Sequence, residues 1–137
     1  MSDLFSVMNV STAGMRVQSE RTRVISENIA NADTTATTPG GQPYARKIIT
    51  FKNEMDRAQG LEMVKVDRIR SDTKTPFVLK YSPGHPAADA QGYVKTPNVN
   101  TLIETMDARE AQRSYEANLG MFSQSRDMNQ RMIDLLR

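Results

Sequence analysis

The residue best suited to acid–base chemistry is His85, the only histidine in the chain, which lies in the turn-like sequence SPGHP at 82–86. Nucleophilic catalysis needs a nucleophile, a base and a group that orients the base, and no such set surrounds His85 in the sequence. We therefore predict that His85 has a structural role in a turn. A hydrolase that depends on His85 is the alternative reading of this residue.

The acidic residues and the glycines offer no stronger chemistry. Asp67, Asp72 and Asp89 stand apart from one another without the spacing of metal ligands, and neither an EF-hand loop nor an HExxH pair occurs. The sequence PGG at 39–41 lacks the following Gly-Lys-Ser/Thr of a phosphate-binding loop. The sequence therefore predicts no enzymatic activity, no metal and no cofactor.

Charge and composition argue against several classes of partner. Lysine and arginine number 18 against 16 acidic residues, so the net charge of +2 is too small for a nucleic-acid-binding stripe. There is no cysteine, so neither a disulfide framework nor a thiolate metal site can form. The N-terminus lacks the basic and apolar regions of a secretory signal, and no apolar run is long enough to span a membrane. We expect no nucleic-acid partner and no membrane insertion.

Two asparagines, Asn28 and Asn31 in the sequence NIANADTT, are unexpected near the end of a helix, because asparagine favours a helix poorly. They lie about one turn apart at the end of a predicted helix, so both face one side, next to the apolar residues Ile25 and Ile29. In one interpretation Ile25 and Ile29 are buried against the C-terminal helix or a neighbour, while both amides bond the backbone of a partner. In the other, both amides only cap the helix. Besides either role, Asn31 or Asp33 is a candidate for the left-handed conformation that ends the helix.

Two long helices are predicted to position these residues, over 3–31 and 101–136. Neither contains proline, and both carry seam residues in alternating steps of three and four, as in a coiled coil. Thr101 and Glu104 fit a capping box at the start of the second helix. The predicted seam of the first helix comprises Leu4, Met8, Ser11, Met15, Gln18, Thr22, Ile25 and Ile29. The predicted seam of the second helix comprises Ala111, Tyr115, Asn118, Phe122, Ser125, Asn129, Met132 and Leu136.

The middle of the chain has a different character. Residues 32–43 are rich in Thr, Gly and Pro and predict a loop. The runs YARKIITF, LEMVKVDRIR and PFVLKY are rich in β-branched and aromatic residues and predict strands of one small meander-like β core.

The predicted fold class is therefore α+β. Long N- and C-terminal helices pair as a coiled-coil-like unit, and a small β-rich region is inserted between them. The predicted domains are a helical domain of residues 1–31 and 101–137, a loop at 32–43 and a β-rich domain at 44–100. Two ordinary helices that pack on a β layer are the alternative architecture.

Three motifs, in order along the chain, resemble the family of bacterial flagellar rod and hook axial proteins. The sequence ISENIANADT at 25–34 resembles the N-terminal signature of that family. The sequences YSPGHPAAD, GYV and PNVN, within 81–100, look like the middle of a proximal rod subunit, and RSYEAN at 113–118 looks like the C-terminal helix motif of that subunit. The resemblance covers nearly the whole chain.

The resemblance implies a structural axial subunit of the proximal rod, the drive shaft of the flagellar basal body, with no catalysis. It further implies export by the flagellar type III apparatus without a cleaved signal. The partners it implies are other rod subunits and further copies of the chain, assembled into a rod that crosses the periplasm. Another rod or hook subunit, and a non-flagellar helical-hairpin adaptor, are the alternatives.

Candidate site residues follow from the predicted helix faces and from the family resemblance. Tyr115, Asn118 and Phe122 share a helix face, and we expect them to meet the first helix around Ile25. The predicted assembly interface comprises Ile25, Asn28, Ile29, Asn31, Tyr115, Asn118, Phe122, Met132 and Leu136. The candidate export signal comprises Leu4, Phe5, Val7 and Met8, for which plain helix packing is the alternative role.

Overall fold

The computed structural model describes residues 2–58 and 60–136 and contains six elements. These are α1 (Ser2–Ala30), β1 (Lys47–Asp56), β2 (Leu61–Ser71), β3 (Val78–Tyr81), β4 (Tyr93–Thr96) and α2 (Thr101–Leu135). The predicted α+β class, with a long helix at each end of the sequence and strands between them, is confirmed.

The four strands form two separate two-stranded sheets. β1 pairs with β2, and β3 pairs with β4 in an antiparallel ladder that places Tyr81 opposite Tyr93. These two rings meet edge to face with their centroids 5.3 Å apart, a favourable arrangement for aromatic pairs. The predicted single meander is therefore wrong. The chain turns after β2, where the Asp72 carboxylate accepts hydrogen bonds from the amides of Lys74 and Thr75. β3 then pairs with the later strand β4 and not with β2, so the ladder is interrupted between β2 and β3.

The chain forms two compact units. The first unit contains Met1–Thr22, Ile49–Arg68 and Arg109–Arg137, and the second contains Arg23–Ile48 and Ile69–Ala108. Each unit thus takes part of both helices together with strand residues. The domain boundaries predicted from the sequence stay a prediction.

In the first unit, α1 and α2 run antiparallel to each other. The Nη2 atom of Arg21 lies 3.2 Å from Oε2 of Glu110, and the side chain of Asn118 lies against Gly14. A residue earlier in α1 thus contacts a residue later in α2. An antiparallel alignment follows from these two contacts.

The buried residues of the first unit are small, whereas several of its large apolar side chains are exposed. Small residues allow two helix backbones to approach closely, and Gly14 is the clearest case. A Cβ atom at Gly14 would lie only 2.7 Å from Nδ2 of Asn118. The buried positions are Ser11, Gly14, Val17, Ala111 and Ser125. The exposed large apolar residues on the helices of this unit include Phe5, Val10, Tyr115, Leu119, Met121 and Met128.

The second unit buries polar groups at its centre. Its most deeply buried large side chains are Val24, Asn28 and Glu104, each 1% exposed. Asn100 caps α2 here, because its Oδ1 accepts from the amides of Leu102 and Ile103. The predicted capping box of Thr101 and Glu104 is wrong, since the Glu104 carboxylate is directed to other partners.

Candidate functional site

The centre of the second unit is a cluster of polar side chains that we call the polar junction, formed by Asn28, Tyr44, Arg46, Lys47 and Glu104. Asn28 lies on α1, Glu104 lies on the first turn of α2, and the other three residues lie at and just before the start of β1. Three segments that are distant in sequence therefore meet through these five residues.

Asn28 uses its complete hydrogen-bonding capacity in this junction. Its Nδ2 donates to the carbonyl oxygen of Lys47 at 2.9 Å and to Oε2 of Glu104 at 3.1 Å. Its Oδ1 accepts from the hydroxyl of Tyr44 at 2.9 Å and from the amide of Lys47 at 2.8 Å. A buried asparagine amide has two N–H groups and two acceptor positions, and all four are satisfied.

The hydrogen-bonding positions of Asn28 are thus all taken within its own chain, and its place in an assembly interface stays a prediction. Asn28 does bond backbone, as predicted, but it is the backbone of Lys47 in its own chain. The chain returns to α1 after the loop at 32–43, and this return supplies the donor and acceptor. A sequence pattern identifies a helix face but gives no information about which distant segment covers it.

Glu104 is the acidic centre of the junction. Its carboxylate accepts from Nε of Arg46 and from Nδ2 of Asn28, and only 1% of its side chain is exposed. The Arg46 side chain is 28% exposed, and its Nη2 also lies 3.9 Å from Asp107. A buried carboxylate needs such paired donors, because an unpaired charge in the interior is strongly unfavourable.

A second set of polar contacts fixes the segment that leads into α2. Oδ1 of Asn98 accepts from the amide of Arg46 at 2.7 Å, while its Nδ2 donates to the carbonyl oxygens of Asp72 and Thr75. The Asp72 carboxylate in turn accepts from the Thr75 hydroxyl at 2.6 Å. This bond and the amides of Thr75 and Lys74 hold the pKa of Asp72 below its usual range. The start of β1, the end of β2 and the segment before α2 are thereby connected.

An ion pair borders the junction where it meets solvent. Nζ of Lys47 lies 2.7 Å from Oε2 of Glu27, and Arg23 contacts the other oxygen of the same carboxylate. The hydrogen bond from Lys47 is the main cause that lowers the pKa of Glu27, and the same bond raises the pKa of Lys47. Burial raises the pKa of Tyr44. These pKa shifts keep Glu27 ionised, Lys47 protonated and Tyr44 neutral at neutral pH, as their contacts require.

Asn31, by contrast, makes only local contacts. Its Nδ2 donates to the carbonyl oxygen of Glu27, and its Oδ1 accepts from the hydroxyl of Thr34. These bonds support the interpretation of Asn31 as a helix-end residue. The left-handed conformation predicted for Asn31 or Asp33 is wrong, because the described residues with positive φ are all glycines.

The predicted contact of α2 with Ile25 is also wrong for Asn118. Its side chain lies against Gly14, eleven residues before Ile25 on α1, and its Nδ2 donates to the carbonyl oxygen of Ser114. In a sequence, a periodic face on each helix defines which residues share a side but leaves the alignment of the two helices undetermined. The one glycine of α1 was the sequence signal for the close approach.

The other predicted interface residues are mostly at the surface of the chain. Ile25 is buried, whereas Ile29, Tyr115 and Met132 are between 36% and 39% exposed. Leu136 is 81% exposed, and Phe122 is half-buried. Whether a neighbouring subunit covers these residues stays a prediction.

The candidate export residues all lie in the first turns of α1. Phe5 and Val7 are exposed, and Leu4 and Met8 are half-buried. Leu4 and Val7 also line a groove of about 450 Å³ together with Met121 and other residues of α2. This location is compatible with helix packing as well as with recognition during export.

His85 has the structural role in a turn that the sequence predicts. Its Nδ1 accepts from the amide of Ala87 at 3.0 Å, so the ring hydrogen is on Nε2, which lies 3.2 Å from Oγ1 of Thr35. Nδ1 thus holds the turn itself, and Nε2 connects the turn to the loop after α1. Within residues 2–58 and 60–136, no group of three or more acidic or histidine side chains is placed to hold a metal ion. No helix in this part of the chain is long and apolar enough to cross a membrane.

Two family models match the two ends of the chain. The model described as "Flagella basal body rod protein" matches residues 8–36, and the model described as "Flagellar basal body rod FlgEFG protein C-terminal" matches residues 90–135. The first range contains Asn28, and the second contains Glu104.

Three relatives that match over nine tenths or more of this chain carry the same name. The flagellar basal-body rod protein FlgC of Agrobacterium fabrum is 50% identical over 137 residues, which cover 100% of this chain and 98% of the relative. The FlgC proteins of Borreliella burgdorferi and Salmonella typhimurium are 38% and 37% identical and are covered over 98% and 92% of their lengths. These comparisons confirm the resemblance predicted from the three motifs and a structural rather than catalytic role. The chain belongs to the FlgC family of flagellar basal-body rod proteins.

Proposed function

We propose that this chain is a structural axial subunit of the proximal rod of the bacterial flagellum. The observation that carries the proposal is the 50% identity to a FlgC protein over the whole chain. It assembles with other rod subunits and with further copies of itself in the part of the basal body that crosses the periplasm. A non-flagellar helical-hairpin adaptor is inconsistent with membership of this family, and the shared name FlgC disfavours another axial position.

The exposed apolar residues of α2 support assembly as the way in which this surface is covered. Met121, Met128 and Leu135 follow one another at intervals of seven residues and are 52%, 50% and 85% exposed. Met132 and Leu136, four residues apart, add a second exposed row. Contiguous apolar surface of this kind is typical of protein–protein interfaces. In the proposed rod, neighbouring subunits cover these rows.

Replacing Leu136, the residue directly after α2, with glutamate tests whether this surface is covered on assembly. An unpaired carboxylate that is buried on assembly costs several kcal/mol, and each 1.4 kcal/mol lowers an association constant about tenfold. We expect the amount of Leu136→Glu protein in purified basal bodies to fall at least tenfold at an unchanged level in whole cells.

The matched control is Gln130→Glu, which adds the same charge at an exposed polar position on α2 and gives up an exposed hydrogen bond from Gln130 to Asp134. We expect this variant to enter basal bodies normally. Equal incorporation of both variants would contradict a buried interface at Leu136.

We further propose that the flagellar type III apparatus exports this chain without a cleaved signal. Leu4, Phe5, Val7 and Met8 are the candidate recognition residues, because they form an apolar group at the start of α1. A variant with all four changed to glutamine should remain in the cytoplasm. Its control is Val10→Gln, which changes an exposed apolar residue on the next turn. Secretion of the fourfold variant at the normal level would remove the export role and leave only helix packing.

A further inference from the structure

The small sheet of β3 and β4 has two outer edges, which differ in how their backbone groups are used. In its antiparallel ladder Tyr81 lies opposite Tyr93. The amide of Ser82 donates to the carbonyl oxygen of Gly92 at 2.8 Å, and this bond extends the same register. Antiparallel pairs alternate between those that exchange backbone hydrogen bonds and those that do not. Because Ser82 and Gly92 are a hydrogen-bonded pair, Tyr81 and Tyr93 are a pair without backbone bonds to each other.

The outer edge of β4 is closed within its own unit. The carbonyl oxygen of Tyr93 accepts from the amide of Asp89 at 2.9 Å, and the amide of Tyr93 donates to Oδ1 of Asp89 at 2.8 Å. The backbone of Tyr93 therefore points away from β3. By the same alternation, Tyr81 directs its N–H and C=O groups away from β4, and so does Leu79, which lies opposite Lys95.

The outer edge of β3 is open. Among residues 2–58 and 60–136, no group bonds the backbone of Leu79 or Tyr81 at this edge. All four residues of β3 are exposed, and Leu79 and Tyr81 are 60% and 64% exposed. Four backbone groups thus face solvent beside two large apolar side chains. A strand edge of this kind is a template for pairing with a further strand.

Lys80 restricts which strand this edge accepts. It lies between Leu79 and Tyr81, it is exposed, and it has no ion-pair partner in the part of the chain that the structure describes. In an antiparallel register that pairs Leu79 with Tyr81 of a second copy, the two Lys80 side chains would lie directly opposite each other. Like charges in such positions destabilise a strand pair, and a lysine on an edge strand protects proteins against pairing with their own copies. An acidic residue opposite Lys80 would instead be favourable.

We propose that the outer edge of β3 binds an extended segment of a partner protein in which one acidic residue lies between two apolar residues. The backbone of this segment bonds the N–H and C=O groups of Leu79 and Tyr81. Its two apolar side chains pack beside Leu79 and Tyr81, and its carboxylate pairs with Lys80. The binding surface lies within the second unit, and the inference goes beyond the proposed function and does not depend on it.

NMR of the isotope-labelled full-length chain tests the proposal, with the peptide acetyl-Thr-Val-Glu-Val-Thr-amide as the probe. In the free chain we expect the amides of Leu79 and Tyr81 to exchange with solvent faster than those of Lys80 and Ser82, which donate within the ladder. Added peptide should shift the signals of Leu79 and Tyr81. At half saturation it should lower their exchange rates by about half, because the bound peptide accepts from both amides.

The matched control is the same peptide with lysine in place of glutamate. We expect it to bind about fivefold more weakly, and we expect Lys80→Glu to reverse this preference. Leu79→Pro should abolish binding of both peptides, because it removes an N–H of the open edge but no bond of the β3–β4 ladder. Leu79→Ala, which keeps that N–H, should retain the preference for glutamate. Should Leu79→Pro disrupt the sheet, Lys80→Glu keeps the test decisive, since it changes only an exposed side chain.

Several results would overturn the proposal. One is slow exchange of Leu79 and Tyr81 in the dilute free chain, because the edge would then be closed. Failure of the glutamate peptide to bind, equal affinity for both peptides, or binding without shifts at Leu79 and Tyr81 would do the same. Protection of these two amides that rises with the concentration of the chain alone would also overturn it, because a second copy would then be the occupant of the edge.

Discussion

Replacing Glu104 with alanine removes the acidic centre of the polar junction. The change leaves the Arg46 guanidinium without its main acceptor and one N–H of Asn28 without a partner. Because both Asn28 and Glu104 are 1% exposed, water cannot take the place of the carboxylate without opening the core of this unit.

The expected loss of stability follows from these contacts. Removal of one partner of a buried ion pair costs about 3–5 kcal/mol, and an unsatisfied buried N–H adds about 1–3 kcal/mol. Arg46 is 28% exposed and has Asp107 at 3.9 Å, so part of the first cost is recovered. We expect Glu104→Ala to lower the free energy of unfolding by about 3–4 kcal/mol.

Urea unfolding followed by circular dichroism measures this loss, with Glu110→Ala as the matched control. Glu110 lies on the same helix and pairs with Arg21, but its side chain is 67% exposed. The control makes the same chemical change with the same effect on helix propensity, and exposed pairs contribute at most about 1 kcal/mol. Similar losses for Glu104→Ala and Glu110→Ala would refute the reasoning that burial makes the Glu104 contacts strong.

Two further predictions concern close packing and acid stability. Gly120→Ala should stabilise the chain by about 0.5–1 kcal/mol through helix propensity, because nothing lies within 4 Å of the added Cβ. Gly14→Ala should give no such gain, because Asn118 would have to move, and a stabilisation equal to that of Gly120→Ala in urea unfolding would contradict the contact. For Asp72, the folded pKa lies below the unfolded value, so its contribution is present above the unfolded pKa and is lost as the pH falls through the folded pKa. The stability difference between the native chain and Asp72→Asn should therefore shrink below about pH 4, and a difference independent of pH would contradict this sign.

The helices and strands were largely predictable from the sequence because they depend on local patterns. The first helix was predicted at 3–31 and is observed at Ser2–Ala30, and the strand predicted at 61–70 is observed at Leu61–Ser71. Periodic apolar positions, turn residues and the absence of proline act within a few residues, so a single sequence contains this information.

The polar junction was not predictable from the sequence because it depends on contacts between distant segments. Asn28 was identified as unusual, but its partners lie 16 to 76 residues away. Glu104 was assigned to a local capping box, since that pattern explains a glutamate near a helix start without any distant contact. Tyr44 and Arg46 belong to the run YARKIITF, which predicts a strand and contains no sign of a contact with either helix.

The seam was predictable only in part, for a related reason. Ser11, Ile25, Ala111 and Ser125 are buried as expected, whereas Ile29 is 38% exposed and its neighbour Asn28 is buried. An apolar residue is normally expected inside and an amide outside. Here the backbone of Lys47 lies on the inner side of α1 and offers the Asn28 amide a donor and an acceptor. Because these bonds satisfy the amide, Asn28 is buried at a position where an apolar residue would be expected.

A clean deletion of the gene in the source bacterium, scored by electron microscopy for rods and hooks, tests whether this chain is an axial rod subunit. We expect basal bodies of the deletion strain to lack both rod and hook, and we expect the intact gene to restore both together with motility. Normal rods and hooks in motile cells that lack the gene would contradict the assignment of this chain as an axial rod subunit.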